Sequence, residues 1–480
     1  MPKFVFLGTD LVLYAMTLVL AFYAWRIAAN ANLRATWEKV IRDPVALSAA
    51  IVLAIFALVT LVDSVHFRRA LPAAAGTATG TAVSYAPTTE SLLDVVLARQ
   101  IATREIGYSQ PLAYKAFEKA PMVVDDRPVR AYPRLAFGGA QLVDPDSQWA
   151  GDLLSRAAFG LVVGVVVAVL AVLLTAFAVR RAHGGVSAAL RDIARDRTHL
   201  PLRAALVTFT VICMLAGPVV ALMGNYHVLG TDRTGNDVLY QSLKSVRTAF
   251  VIGTLATIAT LPFAVVFGVL AGYFKGWVDE LIQYLYTTLS SVPNVLLIAA
   301  CVLMVQVYLD QHTEMFETGT ERSDVKIFLL CVILGVTGWA TLCRLIRGET
   351  LKLRELDFVQ AATAFGVSHT RIMVRHIVPN VMHLVLITTV LSFSDLILYE
   401  AVLTYVGVGV DPSMNSFGGM INLARSEMSR DPVVWWSFVS AFVFMVTLVL
   451  AANLFADGVR DAFDPRARSF RPRLRRAATS

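Results

Sequence analysis

The chain has 480 residues, of which 56% are hydrophobic and only 16% charged, with a mean hydropathy of +0.63 and a formal net charge of +7. A soluble chain carries about 25% charged side chains to cover its surface, so this surface faces something apolar, which excludes soluble, disordered and fibrous classes. The four cysteines (Cys213, Cys301, Cys331 and Cys343) all lie inside apolar runs, which excludes a disulfide scaffold and reads as small buried hydrophobes.

A bilayer core about 30 Å thick takes about 20 apolar helical residues. Nine windows of that kind occur, at 7–25, 45–62, 157–179, 204–223, 248–273, 281–308, 327–346, 381–405 and 434–456. The expected fold is therefore an all-α polytopic membrane protein. Asp10 and the aromatic residues Tyr14, Tyr23 and Trp25 make the first window the least regular, and an uncleaved signal anchor is the alternative for it.

Lys and Arg collect between windows one and two, three and four, and seven and eight, and again after window nine (Arg466 to Arg476). The segment 310–324 is acidic instead. The positive-inside rule then puts the N-terminus outside and the C-terminus in the cytoplasm. The positive charge lies beside the apolar runs and forms no single soluble basic face, so nucleic acid is not an expected partner.

Residues 63–156 form one long loop between the second and third windows, expected to be a small extracytoplasmic domain. Within it, 73–87 is rich in Ala, Gly, Thr and Ser and reads as flexible, 91–106 has helical spacing, and 121–139 looks irregular or extended. Further on, Thr231, Asp232, Gly235 and Asp237 have the residue types of a cation loop but lack the repeated ligands and terminal glutamate of a calcium hand. Asp232 or Thr231 is expected to cap an amphipathic helix at 236–246 lying on the outer face. The stretch 141–155 echoes 226–240 only with a gap, and is read as coincidence. Pro293 and Asn294 are expected to bend the sixth span.

The segment 347–381 is the most informative. Residues 351–365 suit a helix, with Leu356, Val359 and Ala362 on one face and the small Ala361 and Ala362 allowing close approach of another backbone. Gly366 suits a helix end, Ser368 a cap for a second short helix, and Pro379 the start of the next span. A short helix broken by glycine and tethered to two spans acts as a lever. Asp395 and Glu400 interrupt the eighth span, where ionisable groups are costly and face a bundle interior or wet cavity. A packing role is expected for Glu400 and a pathway contact for Asp395. Asp457, Arg460, Asp461 and Asp464 read as a charge cluster ordering the tail.

Gln360-Ala361-Ala362, then Gly366, then Ile377-Val378-Pro379 resembles the EAA loop of bacterial ABC importer permeases, and more narrowly the C-type subunit of the dipeptide/oligopeptide/nickel family. The runs 227–238 (HVLGTDRTGNDV), 271–273 (AGY), 276–279 (GWVD), 291–293 (SVP), 376–381 (HIVPNV), 400–410 (EAVLTYVGVGV) and 453–466 (NLFADGVRDAFDPR) are similar to that family in order and spacing. Gln360 stands where the pattern has glutamate, and Thr404-Tyr405-Val406-Gly407 where Ser-Phe-Leu-Gly is usual. The resemblance implies a six-helix permease core at 204–466, preceded by two additional helices (1–62), the outer domain (63–156) and a third helix with a basic linker (157–203), and followed by a basic tail (467–480). It implies a bacterial inner-membrane protein that imports short peptides, with nickel or another small solute as alternatives. Its implied partners are a second permease subunit, two ATPase subunits, an extracytoplasmic substrate-binding protein and membrane lipid.

By the same resemblance, Gln360, Ala361, Ala362, Gly366, Ile377 and Pro379 couple to the ATPases. Thr231, Asp232, Gly235 and Asp237 contribute to an outer gate or to receptor docking. Asp395 and Glu400 are candidates for the pathway. The sequence contains no G-x-x-x-x-G-K-[ST] phosphate loop, so ATP and Mg are expected on partner subunits and no catalytic, cofactor or metal site on this chain. Two rivals are weaker. Residues 407–411 (GVGVD) carry one residue too many for an intramembrane aspartyl protease motif, and a secondary transporter would run on a gradient instead of ATP.

Overall fold

The structure is a computed structural model that describes residues 3–71, 85–86, 88–124, 127–316 and 318–463. Nearly all of the stretch 73–87, Asp464 and the tail 467–480 fall outside the described residues.

Strand β1 (Lys3–Val5) leads into helix α1 (Gly8–Ala29), the short α2 (Ala31–Arg42) and α3 (Pro44–Asp63). Asp43 begins α3 by accepting from Val45 N at 3.3 Å, with Pro44 preset for the first turn. Strands β2 (His66–Arg68) and β3 (Glu90–Ser91) complete an antiparallel sheet in the order β1-β2-β3. Then come α4 (Leu92–Val96), opened by a Ser91/Asp94 capping box, α5 (Ala98–Ala102), and an antiparallel hairpin of β4 (Ala120–Val124) and β5 (Arg127–Ala131). Helical spacing at 91–106 thus corresponds to two short helices, and part of 121–139 to a paired hairpin.

Helix α6 (Pro145–His183) starts well before the apolar window at 157, because Pro145 and Asp146 suit a first turn, and it ends at Gly184 in the left-handed region. Helices α7 (Val186–Ala194) and α8 (Leu202–Leu222) follow. Helix α8 lies against α6 at small residues: a Cβ on Gly160 would overlap Gly217, and one on Gly164 would overlap the Cys213 carbonyl. Otherwise the main neighbour of α8 is α3, and α3 in turn packs on later helices.

Helix α9 (Val238–Phe274) is one continuous helix, so the separate amphipathic helix expected at 236–246 is its first turns. Its cap is Asp237, which accepts from Leu239 N and Tyr240 N at 2.8 and 3.1 Å, and not Thr231 or Asp232. The sixth window splits at Val292 and Pro293 into α10 (Gly276–Ser291) and α11 (Asn294–Gln311), and only α11 has the length and apolarity of a span. Helices α12 (Gly319–Gly338) and α13 (Ala340–Arg354) are bent by 42° at a short break and are together long and apolar enough for a span. Next are α14 (Asp357–Ala364), α15 (His369–Ile372), a π-helical turn at Met373–Ile377, and α16 (Val378–Tyr405). The helix expected at 351–365 is therefore broken at Glu355 and Leu356. Helices α17 (Phe417–Glu427) and α18 (Trp436–Phe463) end the described chain.

Among the described residues, eight single helices are long and apolar enough to cross a membrane, or nine if the bent pair is counted as one span. Helix α9 is the axis, packed by α13, α12, α16 and α3. The molecule has two poles. The sheet, α4, α5, the hairpin and α17 gather at the first, here termed the cap pole. The segments around α10, α14 and α15 gather at the second, the knuckle pole.

Candidate functional site

At the cap pole, residues 105–117 lie over the segment 227–238. Thr231 Oγ1 donates to the Gly107 carbonyl (2.8 Å) and accepts from Ser109 N (2.7 Å), while Trp436 Nε1 donates to the Thr231 carbonyl (2.9 Å). Asp232 Oδ1 accepts from Thr234 N and Asn236 N, closing an Asx-type turn. Gly235 sits at φ +79°, and a Cβ there would overlap the Glu105 carbonyl. Thr231, Asp232 and Asp237 are 0%, 8% and 3% exposed. The four residues expected at an outer gate or docking surface are thus buried beneath residues 105–117.

A buried clasp holds this seal. His227 Nδ1 is 2.8 Å from Asp237 Oδ2, and Nε2 is 3.6 Å from Glu105 Oε1. Glu105 also accepts from the N–H groups of Ala136, Phe137 and Gly138, each at 2.9 Å. Burial alone disfavours the charged ring, but the hydrogen bond to Asp237 and the nearby Glu105 carboxylate outweigh it and raise the His227 pKa to about 9. Burial likewise opposes the Glu105 carboxylate, but His227 and the three N–H groups hold its pKa down at about 2. The result is an imidazolium between two carboxylates. Glu105 lies at the edge of a helical pattern with no partner in sequence, so no local signal could have marked it.

Next to the clasp lies a buried network joining α1, α3, α9 and α12. Arg247 Nη2 donates to Asp10 Oδ1 (2.5 Å) and Thr9 Oγ1 (3.2 Å), and its Nε to Ser64 Oγ (3.3 Å). His66 Nδ1 lies 2.7 Å from Asp10 Oδ2, and Asp324 accepts from Thr9 N at 3.1 Å and from the Thr9 hydroxyl. Lys244 bridges Asp63 (2.7 Å) and Asp94 (2.9 Å). Asp10, which made the first window look irregular, joins Thr9 and the buried Leu13 in tying α1 to the bundle. The signal was an arginine at the edge of an apolar window, where an ionisable group needs a named partner.

The knuckle pole is built differently. Val359, Ile372 and Ile377 are buried in one apolar cluster with Ala271, Tyr273, Cys343 and Ile346 of α9 and α13. Around them, Arg347 holds Asp279 in a fork (2.5 and 2.7 Å), Arg354 Nη1 donates to the Tyr273 carbonyl (2.6 Å), and Tyr273 Oη lies 2.8 Å from His369 Nδ1. On the other side of α14, Gln360, Ala361 and Gly366 are exposed, Ala362 is half-buried, Phe358 is 45% exposed and Phe365 is 88% exposed. Gly366 has φ +73° with nothing near the Cβ position, so it is required by conformation and not by crowding. Pro379 stands in the first turn of α16 as expected, whereas Ser368 makes no side-chain cap. A cavity of about 560 Å³ opens beside α14, lined by residues including Tyr273, Arg354, Gln360 and His369. Sequence reading missed Tyr273, Arg354 and His369 as supports, because their partners lie on other helices.

Asp395 and Glu400 part company. Glu400 is fully buried, and its Oε1 accepts from Thr404 Oγ1 at 2.8 Å. Asp395 is exposed on the flank of α16. Among the described residues, no group of three or more His, Cys, Asp or Glu side chains is placed to hold a metal ion.

Residues 264–469 match the family described as binding-protein-dependent transport system inner membrane component. The chain is 33% identical over 252 residues to the oligopeptide transport system permease protein OppC of Mycobacterium tuberculosis, covering 52% of this chain and 80% of that protein. It is 31% identical over 243 residues to the glutathione transport system permease protein GsiD of Pectobacterium atrosepticum, covering 51% of this chain and 74% of that protein. The inward facing MetNI methionine ABC transporter is a distant likeness, with TM-score 0.35 and 15% identity over 47% of this chain and 96% of that chain. A knuckle, a bundle of apolar spans and this relationship together identify the chain as a multi-pass inner-membrane permease subunit of the ABC importer family of binding-protein-dependent transport components.

Proposed function

We propose that this chain forms half of the pathway through which short peptides enter the cell, and that residues 347–381 couple it to ATPase subunits. The observation that carries the coupling is the two-sided build of α14. Val359 is buried to 1% exposure, while Phe365 two turns on is 88% exposed beside the positive-φ Gly366. A segment rigidly fixed on one face and apolar on the other suits a protein partner that pushes it. Coupling then requires that the knuckle bind the two ATPase states with different affinity, since a partner shifts an equilibrium only by that difference.

The peptide assignment is supported by what the relatives' names say they transport. Nickel or another small solute is the alternative, because a separate receptor selects cargo in such systems. The arginine-rich segments at the knuckle pole support a cytoplasmic placement of that end, with the cap outside. A second permease subunit, two ATPases that carry ATP and Mg, and an extracytoplasmic receptor complete the reading.

Gly366→Pro, or deletion of 360–366, is expected to leave the chain inserted in the membrane while abolishing its co-purification with ATPase subunits. Normal ATP-dependent uptake by either variant would refute the coupling role. Uptake that follows an ion gradient and ignores ATP depletion would favour a secondary transporter.

A further inference from the structure

Residues 140–224 leave the rest of the chain and rejoin it at one point: Gly139 N donates to the Asn225 carbonyl at 2.9 Å. Between those residues α6, α7 and α8 form a unit of their own. Helices α6 and α8 interlock at Gly160, Gly164 and Gly217, and α7 closes the far end by burying Ala189 and Ile193 among Val179, Leu202 and Leu206. Beyond itself, the unit touches the cap through the first turns of α6 and at Met223, touches α3 through α8, and touches α2 through His199, which lies beside Arg42 and Glu38.

Helix α3 has the contacts that α8 lacks. Ala46 is fully buried against Gly458 of α18, where a Cβ would overlap it. Leu53, Phe56 and Val59 pack on the cluster that holds Ala441, Met445 and Leu448. At its end, Asp63 meets Lys244 of α9 at 2.7 Å. Helices α3 and α8 run in the same direction, and each delivers the chain to the cap pole: Ser64 bonds Arg247 there, and the Met223 carbonyl accepts from Gln100. Direction therefore admits either helix as the one that leads into α9, and packing distinguishes them.

We infer that α3 is the helix that completes the α9–α18 permease bundle, and that 140–224 is a membrane hairpin inserted into the chain as an accessory unit outside the translocation core. The core drawn from sequence at 204–466 is redrawn accordingly: α8 leaves it and α3 enters. Insertions with adjacent ends leave the host fold intact because the host chain needs no rerouting. Small-residue packing between α6 and α8 lets the hairpin hold together in lipid without help from the core.

The test compares three variants of the full chain in detergent, followed by size-exclusion profile and thermal unfolding, neither of which depends on the transported solute. One replaces 140–224 by a short glycine bridge between Gly139 and Asn225. The second, Gly217→Leu, splits α6 from α8; the third, Ala46→Leu, splits α3 from α18. The excised protein and Gly217→Leu are expected to keep the main unfolding transition of the parent and to stay monodisperse. Ala46→Leu is expected to lower that transition by several degrees and cut the monodisperse yield several-fold. If the excised protein aggregates, the two point variants decide. A Gly217→Leu loss equal to or larger than that of Ala46→Leu would overturn the inference.

Discussion

The two poles solve opposite problems with similar residues. At the cap pole the polar side chains are paired with one another and sealed. Thr231, Asp237, His227 and Glu105 are all under 6% exposed, and charges that would be ruinous in an apolar surround are matched by carboxylates or N–H donors. At the knuckle pole the anchors are buried, but Gln360, Ala361 and Phe365 face outward. A region that completes its own contacts and one that leaves apolar side chains bare should respond differently to substitution. Variants should therefore separate cleanly: stability should respond at the cap pole, and partner binding at the knuckle.

The largest effect is expected at Arg247. Arg247→Ala leaves Asp10 Oδ1 without its cation in a buried site, and breaking a buried pair costs about 3–5 kcal/mol. Thermal unfolding in detergent should show a large fall in midpoint, with α1 becoming accessible to protease. If the midpoint does not move, the network is not what holds α1 to α9 and α12.

A smaller and pH-dependent effect is expected at His227. Its folded pKa, raised by Asp237 and Glu105 against the burial that opposes them, lies near 9 against an ordinary 6.5. Its contribution is thus complete below about pH 6.5 and disappears as pH rises through about 9. Glu105, depressed to about 2 from an ordinary 4.5, contributes fully above about pH 4.5 and is lost only as pH falls through about 2. The clasp is then tightest between those limits. Protease protection of 105–140 should weaken between about pH 6.5 and about pH 9. His227→Gln should cost about 1–3 kcal/mol and flatten that alkaline slope. A slope that survives the substitution would mean that another group sets it.

Much of this molecule was legible in sequence because its signals were local or periodic. Apolar runs marked the spans, and Gly366 and Pro379 marked a helix end and a helix start within the knuckle, whereas the cost of a carboxyl in an apolar span did not tell the buried Glu400 from the exposed Asp395. What sequence could not show depends on which helices meet. Asp237 and not Asp232 caps α9, since the choice rests on which carboxylate points at Leu239 N. Glu105 and Asp237 lie far apart in the chain and converge only on His227. Helices α8 and α3 are both apolar enough to span, and it is contact with Gly458 and the α18 cluster that separates them.

The smallest effect on stability is expected where the effect on function is largest. Phe365 is 88% exposed, so Phe365→Ser removes almost no buried contact, and substitutions at such surfaces stay within about 0.5 kcal/mol. If the knuckle exists to be covered by a partner, the same change removes the aromatic ring most available to anchor it, and such anchors carry more than about 1 kcal/mol of binding, a loss of at least several-fold in affinity. Thermal unfolding and ATPase co-purification measured on one preparation should therefore diverge, with the first unchanged and the second reduced. If both fall together, Phe365 packs against this chain and the contrast between the poles fails at the knuckle. If neither moves, the partner grips α14 elsewhere, at Gln360 and Ala361, whose exposed face is free of the ring.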